Sequence, residues 1–292
     1  MIPAMNIVAW SQTVPWAEQR QVEQDLIISR ALVELFADPF LHDQLRLRGG
    51  TALNKLHFPK PFRYSEDIDL TRTTAGRIGP VLDRVRQILE PWMGRAQFEP
   101  SKIAPKLRFR MTAEDPASPA PIRVKVEIHT RERIAYDPPQ AIPFAVSNPW
   151  FTGSAEIATF SKDEVLATKL RALLQRDKGR DLVDLAHGKA VFNDLDAQRV
   201  AACFGQYLAA SGQAISRAQA EERMFAKLES TAFLADVRPL LAADEAERFD
   251  DKAARAAFQT VFAEFIKRIP GNAWAETRAM AERFGMPELA TE

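Results

Sequence analysis

A glycine pair that precedes, at short distance, a strand bearing alternate carboxylates constrains this chain more than any other feature. Arg48-Gly49-Gly50-Thr51-Ala52-Leu53 comes before Arg63-Tyr64-Ser65-Glu66-Asp67-Ile68-Asp69-Leu70. Alternate strand residues project to one face, so Asp67 and Asp69 point together while Ile68 and Leu70 face a core. Glycine lets backbone approach a phosphate closely. Two hard oxygen ligands side by side suit Mg²⁺, which is held by one or two carboxylates plus substrate phosphates. Each half alone is ordinary, since glycines make turns and carboxylates line exposed strands. The ordered set is not: a glycine pair, a helix-like stretch from Thr51 to His57, a turn at Pro59-Lys60-Pro61, then Asp-x-Asp. It reads as a nucleotide-handling metal site.

Composition narrows the partners. A chain of 292 residues buries a sizeable core and has room for one large or two modest domains. Lys+Arg and Asp+Glu both number 39, so any attraction to nucleic acid must be local. Cys203 is the only cysteine, which excludes an internal disulfide and argues against a cysteine-built zinc site. No apolar run reaches transmembrane length, and residues 1–10 lack a basic start followed by an apolar signal core. The expected location is the cytoplasm, with no membrane partner.

Periodicity organises the rest into an α/β section and a helical one. Trp16 to Phe36 reads as a helix with Leu26, Ile27, Ala31, Leu32 and Leu35 in its stripe, ended by Asp38-Pro39. Leu45 to Arg48 is a short strand, and Val81 to Met93 a second helix. Lys106–Met111 and Ile122–His129 alternate strictly, with Pro116, Pro119 and Pro121 marking the connection between them. A proline-rich passage from Pro138 to Pro149 then precedes an almost wholly helical remainder. The expected domains are 1–149 and 150–292. In the second, Phe258, Val261, Phe262, Phe265 and Ile269 form a strong stripe closed by Pro270-Gly271-Asn272, and a final helix is expected from Trp274 to about Phe284.

Three further groups bear on chemistry. Glu127 is a candidate third carboxylate: if its strand pairs beside Asp67-Ile68-Asp69, the three acids share a face and could hold metal at a triphosphate. Equally, it offsets Arg123 and Lys125 on a solvated face. Ser161 and Glu164 form a capping box, so a helix begins there, and Lys169 lies beside its buried side, within reach of a pocket edge. A rotatable ammonium is a sensible partner for a nucleotide phosphate, although most helical lysines are simply solvated. In Arg180-Asp181-Leu182-Val183-Asp184-Leu185, Gly179 marks a break between helices and Asp181 reads as a cap. Asp184 sits between apolar neighbours and calls for a cationic partner. Lys106, Arg108, Arg110, Arg123 and Lys125 crowd the two alternating strands and form either a phosphate-binding face or a solvated one. Phe62, Tyr64 and Trp150 are potential base-stacking groups, with core packing the better default for each.

In order and wording these segments resemble the AbiEii/AbiGii-type toxins, which include the mycobacterial MenT toxins, of the polymerase-β-like nucleotidyltransferase superfamily. The resemblance spans roughly Val22 to Leu185: the Arg48–Leu53 glycine motif, the Arg63–Leu70 metal motif, and Lys169-Leu170-Arg171 through Arg180–Leu185. It implies a nucleotidyltransferase domain with a mixed sheet, followed by a mainly helical domain that contributes Lys169 and Asp184 to the active site. It further implies transfer of NMP from an NTP to an acceptor, with pyrophosphate leaving. In such toxins the acceptor is the tRNA 3′ end, and a cognate antitoxin is the expected partner. By that resemblance Asp67 and Asp69 bind Mg²⁺ and Glu127 stands at the third carboxylate position. Gly49, Gly50, Thr51 and Ser65 meet the NTP phosphates, as does Lys169, while Asp184 helps hold the catalytic arrangement. Transfer to a protein hydroxyl and a nucleotide- or partner-binding module without turnover stay open. A metal-dependent nuclease fits less well, because the strand reads Lys125-Val126-Glu127 rather than Glu-x-Lys.

Overall fold

The computed structural model describes residues 2–114, 121–230, 233–234 and 236–290. Asp115, Pro116 and Pro119 lie outside the described residues. The chain divides into two compact units, Met1–Ser161 and Lys162–Glu292.

The first unit is a mixed sheet covered by helices. After α1 (Ala4–Ser11), α2 (Gln19–Ala37) and α3 (Pro39–Gln44) comes β1 (Leu45–Arg48). A single α-helical turn, α4 (Gly49–Ala52), runs into a π-helical turn at Leu53–His57 before β2 (Asp67–Arg72), α5 (Gly79–Met93) and β3 (Gln97–Glu99). β4 (Lys106–Met111), β5 (Ile122–His129), β6 (Gln140–Asn148) and β7 (Phe151–Thr159) complete it. The strand order is β3-β4-β5-β2-β1-β7-β6. β2 lies parallel to β5 and β1 parallel to β7, while β1–β2, β3–β4, β4–β5 and β6–β7 are antiparallel.

Helix α2 packs against β2, β5, β6 and β7 and is buried on nearly every side, as a helix at the centre of a unit must be. Of its two buried acids, Asp25 accepts from Lys55 Nζ and from the Trp10 indole, both at 2.9 Å, and Glu23 accepts from the Glu114 N–H. The helix starts at Gln19 rather than Trp16. Trp16 packs edge-on against Tyr64 instead, with ring centroids 5.6 Å apart.

The proline-rich passage is where sequence and structure part most. Residues 140–159 form a hairpin that extends the sheet, so the break between units follows Ser161 rather than residue 149. β6 is an edge strand, and an edge tolerates Pro143 because one row of its backbone groups needs no ladder partner.

The second unit is built of helices: α6 (Lys162–Gln175), α7 (Gly179–Val191), α8 (Ala197–Ala210), α9 (Arg217–Leu228), α10 (Ala243–Arg248), α11 (Asp251–Glu264) and α12 (Thr277–Arg283). The Phe258–Ile269 stripe is buried throughout and meets Phe225 of α9. The final helix is shorter than expected. The fully buried Glu221 carboxylate accepts from the Trp274 N–H at 2.9 Å and the Thr277 hydroxyl at 2.5 Å, fixing that approach outside helical geometry. Among the described residues, no helix is long and apolar enough to cross a membrane.

Candidate active site

Antiparallel pairing sets Arg48 of β1 opposite Asp69 of β2, so the chain leaving β1 turns directly beside that carboxylate. Gly49 makes the turn at φ 78°, in the left-handed region that side chains rarely enter. A Cβ there would lie 2.7 Å from Asp69 Oδ2, and one on Gly50 would lie 2.4 Å from Arg63 Nη2 and 3.1 Å from Ser65 Oγ. The glycine pair is therefore required by what packs against it, independently of any ligand. The Thr51 hydroxyl is turned inward: it donates to the Asp67 carbonyl and lies 2.8 Å from Ser65 Oγ. Thr51 thus ties the glycine turn to the start of β2. Asn54 closes the motif from below, its amide oxygen accepting from the Phe62 and Arg63 N–H groups at 2.9 Å each, which fixes the Pro59-Lys60-Pro61 turn.

The parallel β2–β5 register pairs Asp67 with Lys125 and Asp69 with Glu127. All four side chains share one sheet face, so the strand pairing on which Glu127's convergence depended is present. What converges is an ion cluster. Lys125 Nζ lies 3.1 Å from Asp67 Oδ2 and 2.8 Å from Glu127 Oε2, and His129 Nε2 lies 3.3 Å from Glu127 Oε1. Burial pushes the Glu127 carboxyl up, but the hydrogen bonds from His129 and Lys125 outweigh it and bring it down to about 2. Burial also works against the Lys125 ammonium, yet Asp69, Glu127 and Asp67 together raise it. Asp67 is raised by burial, with the Asp69 charge adding to it and Lys125 opposing. Among the described residues, no three His, Cys, Asp or Glu side chains are arranged to hold a metal ion. Both Glu127 oxygens are engaged in this structure by neighbours on its own strand, Oε2 by Lys125 and Oε1 by His129. Asp67 and Asp69 offer adjacent hard oxygen donors beside the glycine turn, a donor set that fits Mg²⁺.

The second unit has a buried cluster of its own. Lys169 of α6 is 5% exposed, with Nζ 3.1 Å from Asp181 Oδ1 and 2.9 Å from Asp184 Oδ2. Asp184 thus has the cationic partner its apolar neighbours called for. Asp181 is not a cap, since it stands inside α7 and is fully buried, accepting from Arg176 Nε at 2.7 Å and Nη2 at 3.0 Å. Burial raises its carboxyl, but Lys169 and Arg176 hold it below the usual range. Gly179 opens α7 where a Cβ would lie 2.5 Å from the Phe233 carbonyl.

Gly49, Gly50, Thr51, Ser65, Asp67, Asp69 and Glu127 therefore come together in the first unit, and Lys169 meets Asp184 in the second. Sequence reasoning missed Arg63, Asn54 and the bridging role of Lys125. The spacing Lys125-x-Glu127 on an alternating strand was the available signal for the last. The aromatic candidates pack on other rings: Phe62 on Phe58, Tyr64 on Trp16 and Trp150 on Trp92.

Comparison with known proteins bears on the family and the fold. Residues 30–260 match a family described as nucleotidyl transferase AbiEii toxin, type IV TA system. MenT4, a nucleotidyltransferase toxin from Mycobacterium tuberculosis H37Rv, has a similar fold with TM-score 0.62 at 18% identity, covering 99% of each chain. JHP933 from Helicobacter pylori gives 0.56 at 16% identity over 95% of this chain and 100% of its own. No curated protein sequence matches.

Proposed function

Starting from the chain's membership of the AbiEii family of nucleotidyl transferase toxins of type IV toxin–antitoxin systems, we propose that it transfers NMP from an NTP to the 3′ end of tRNA, with Mg²⁺, releasing pyrophosphate. The observation that carries this reading is the Asp67/Asp69 pair set against the Gly49-Gly50 turn.

Asp67 and Asp69 would hold the metal. Bound there, Mg²⁺ supplies positive charge that offsets the charge developing on the phosphoryl oxygens. The Gly49 and Gly50 backbone and the Ser65 hydroxyl receive the triphosphate, and Thr51 keeps that turn joined to β2 through the Asp67 carbonyl. Glu127 anchors Lys125 rather than binding metal, and Lys125 in turn fixes one oxygen of Asp67. In the second unit Lys169 is the phosphate-contacting lysine, oriented by Asp181 and Asp184. The acceptor hydroxyl attacks the α-phosphorus, the bond to the β-phosphate oxygen breaks, and pyrophosphate leaves. The toxin acts in the cytoplasm and has a cognate antitoxin.

The test incubates purified protein with each NTP carrying ³²P at the α or the γ position, Mg²⁺ and total tRNA. The reading predicts α-label in tRNA and γ-label in pyrophosphate. Label on protein would move the acceptor to a protein hydroxyl, and nucleotide binding without any transfer would make the chain a binding module.

A further inference from the structure

The β4–β5 register places like charges face to face. Arg110 stands directly opposite Arg123, and Arg108 opposite Lys125, all on the sheet face that carries Asp67 and Asp69. Directly opposed residues of an antiparallel pair hold their Cβ atoms about 5 Å apart, and like charges there destabilise the pairing. Two of the four cations are compensated: Arg108 Nε lies 2.7 Å from Glu99 Oε2, and Lys125 is held by Asp67 and Glu127. Arg110 and Arg123 are both exposed, and among the described residues neither side chain makes an ion pair or hydrogen bond. The sheet has thus set two exposed guanidinium groups directly opposite each other, at a cost to its pairing.

We infer that this strip of β4 and β5 binds the phosphodiester backbone of the RNA acceptor, with Arg110 and Arg123 as its principal contacts. The inference rests on the RNA-acceptor reading above and adds where the backbone runs. Guanidinium groups suit the bidentate geometry of phosphate oxygens. The opposed pairs Arg108–Lys125 and Arg110–Arg123 succeed each other along the strands by about 7 Å, two residues of strand rise. One end of this row reaches the Asp67 carboxylate through Lys125. An RNA strand lying on it would therefore have its phosphates neutralised in line with the proposed reaction centre. Such contacts position the chain without reading its sequence.

The experiment measures tRNA binding by the full-length protein in Mg²⁺ without NTP, across a salt series, for the parent, Arg110→Ala/Arg123→Ala and Arg110→Lys/Arg123→Lys. The alanine pair should weaken tRNA binding about tenfold or more and lower the slope of log K against log salt by roughly 1.4, the value for two phosphates at about 0.7 each. Its affinity for NTP should stay at the parent value, and its melting temperature should hold or rise as the repulsion is relieved. The lysine pair should recover most of the affinity. If the parent labels tRNA while the alanine pair keeps parental affinity and slope, the strip is overturned and the transferase reading stands. If the parent labels protein or nothing, both fall together.

Discussion

Gly49 and Asp69 occupy one another's space: a Cβ on Gly49 would lie 2.7 Å from the Asp69 carboxylate oxygen. Gly49 also sits at φ 78°, so Gly49→Ala meets both backbone strain and a clash with the carboxylate. Transfer activity should fall about 100-fold, the scale expected when a reacting geometry is displaced by about 1 Å. Circular dichroism should show the fold retained.

Lys169 compensates two fully buried carboxylates. Removing one member of such a group leaves uncompensated buried charge, so Lys169→Ala should lower stability by about 3–5 kcal/mol in urea unfolding. Combining Lys169→Met with Asp184→Asn removes charge from both sides, leaves Asp181 with Arg176, and should cost less than Lys169→Ala alone.

Glu127 and Asp69 are neighbours across β2 and β5 with different assigned roles. Electron paramagnetic resonance titration with Mn²⁺ separates them. Asp69→Asn should abolish binding, whereas Glu127→Gln should weaken it about tenfold, as expected for a residue that only orients a ligand's surroundings. Equal losses in the two variants would restore Glu127 as a ligand.

His187 of α7 is pushed down to about 4 by burial, with the Asp184 charge partly opposing. The unfolded chain takes up that proton near pH 6.5, before the folded one does. His187's contribution to stability is therefore complete above pH 6.5, is lost as pH falls from 6.5 to about 4, and changes no further below that. His187→Gln should flatten the stability profile across that window while leaving the high-pH plateau close to the parent's.

Local pattern was enough where strands alternate: β1, β4 and β5 have the bounds that periodicity predicts. It failed at β6 and β7 because prolines punctuate loops more often than edge strands, and nothing local marks residues 140–148 as an edge. The glycine turn and Asp67/Asp69 were legible because their chemistry is contiguous. Lys125 was not, since its place between Asp67 and Glu127 depends on a parallel pairing in register with Asp67, far away in the sequence. Asp181 was misread as a cap for a related reason. Its partners Lys169 and Arg176 come from another helix and the loop before it, and only packing brings them to its carboxylate.

The central claim is tested most directly by the intact mass of tRNA after incubation with NTP and Mg²⁺, comparing the parent with Asp67→Asn. The account predicts tRNA heavier by one or more whole nucleotide residues with the parent, and unchanged mass with Asp67→Asn. Unchanged or shortened tRNA with the parent, or equal gain with both proteins, would contradict it.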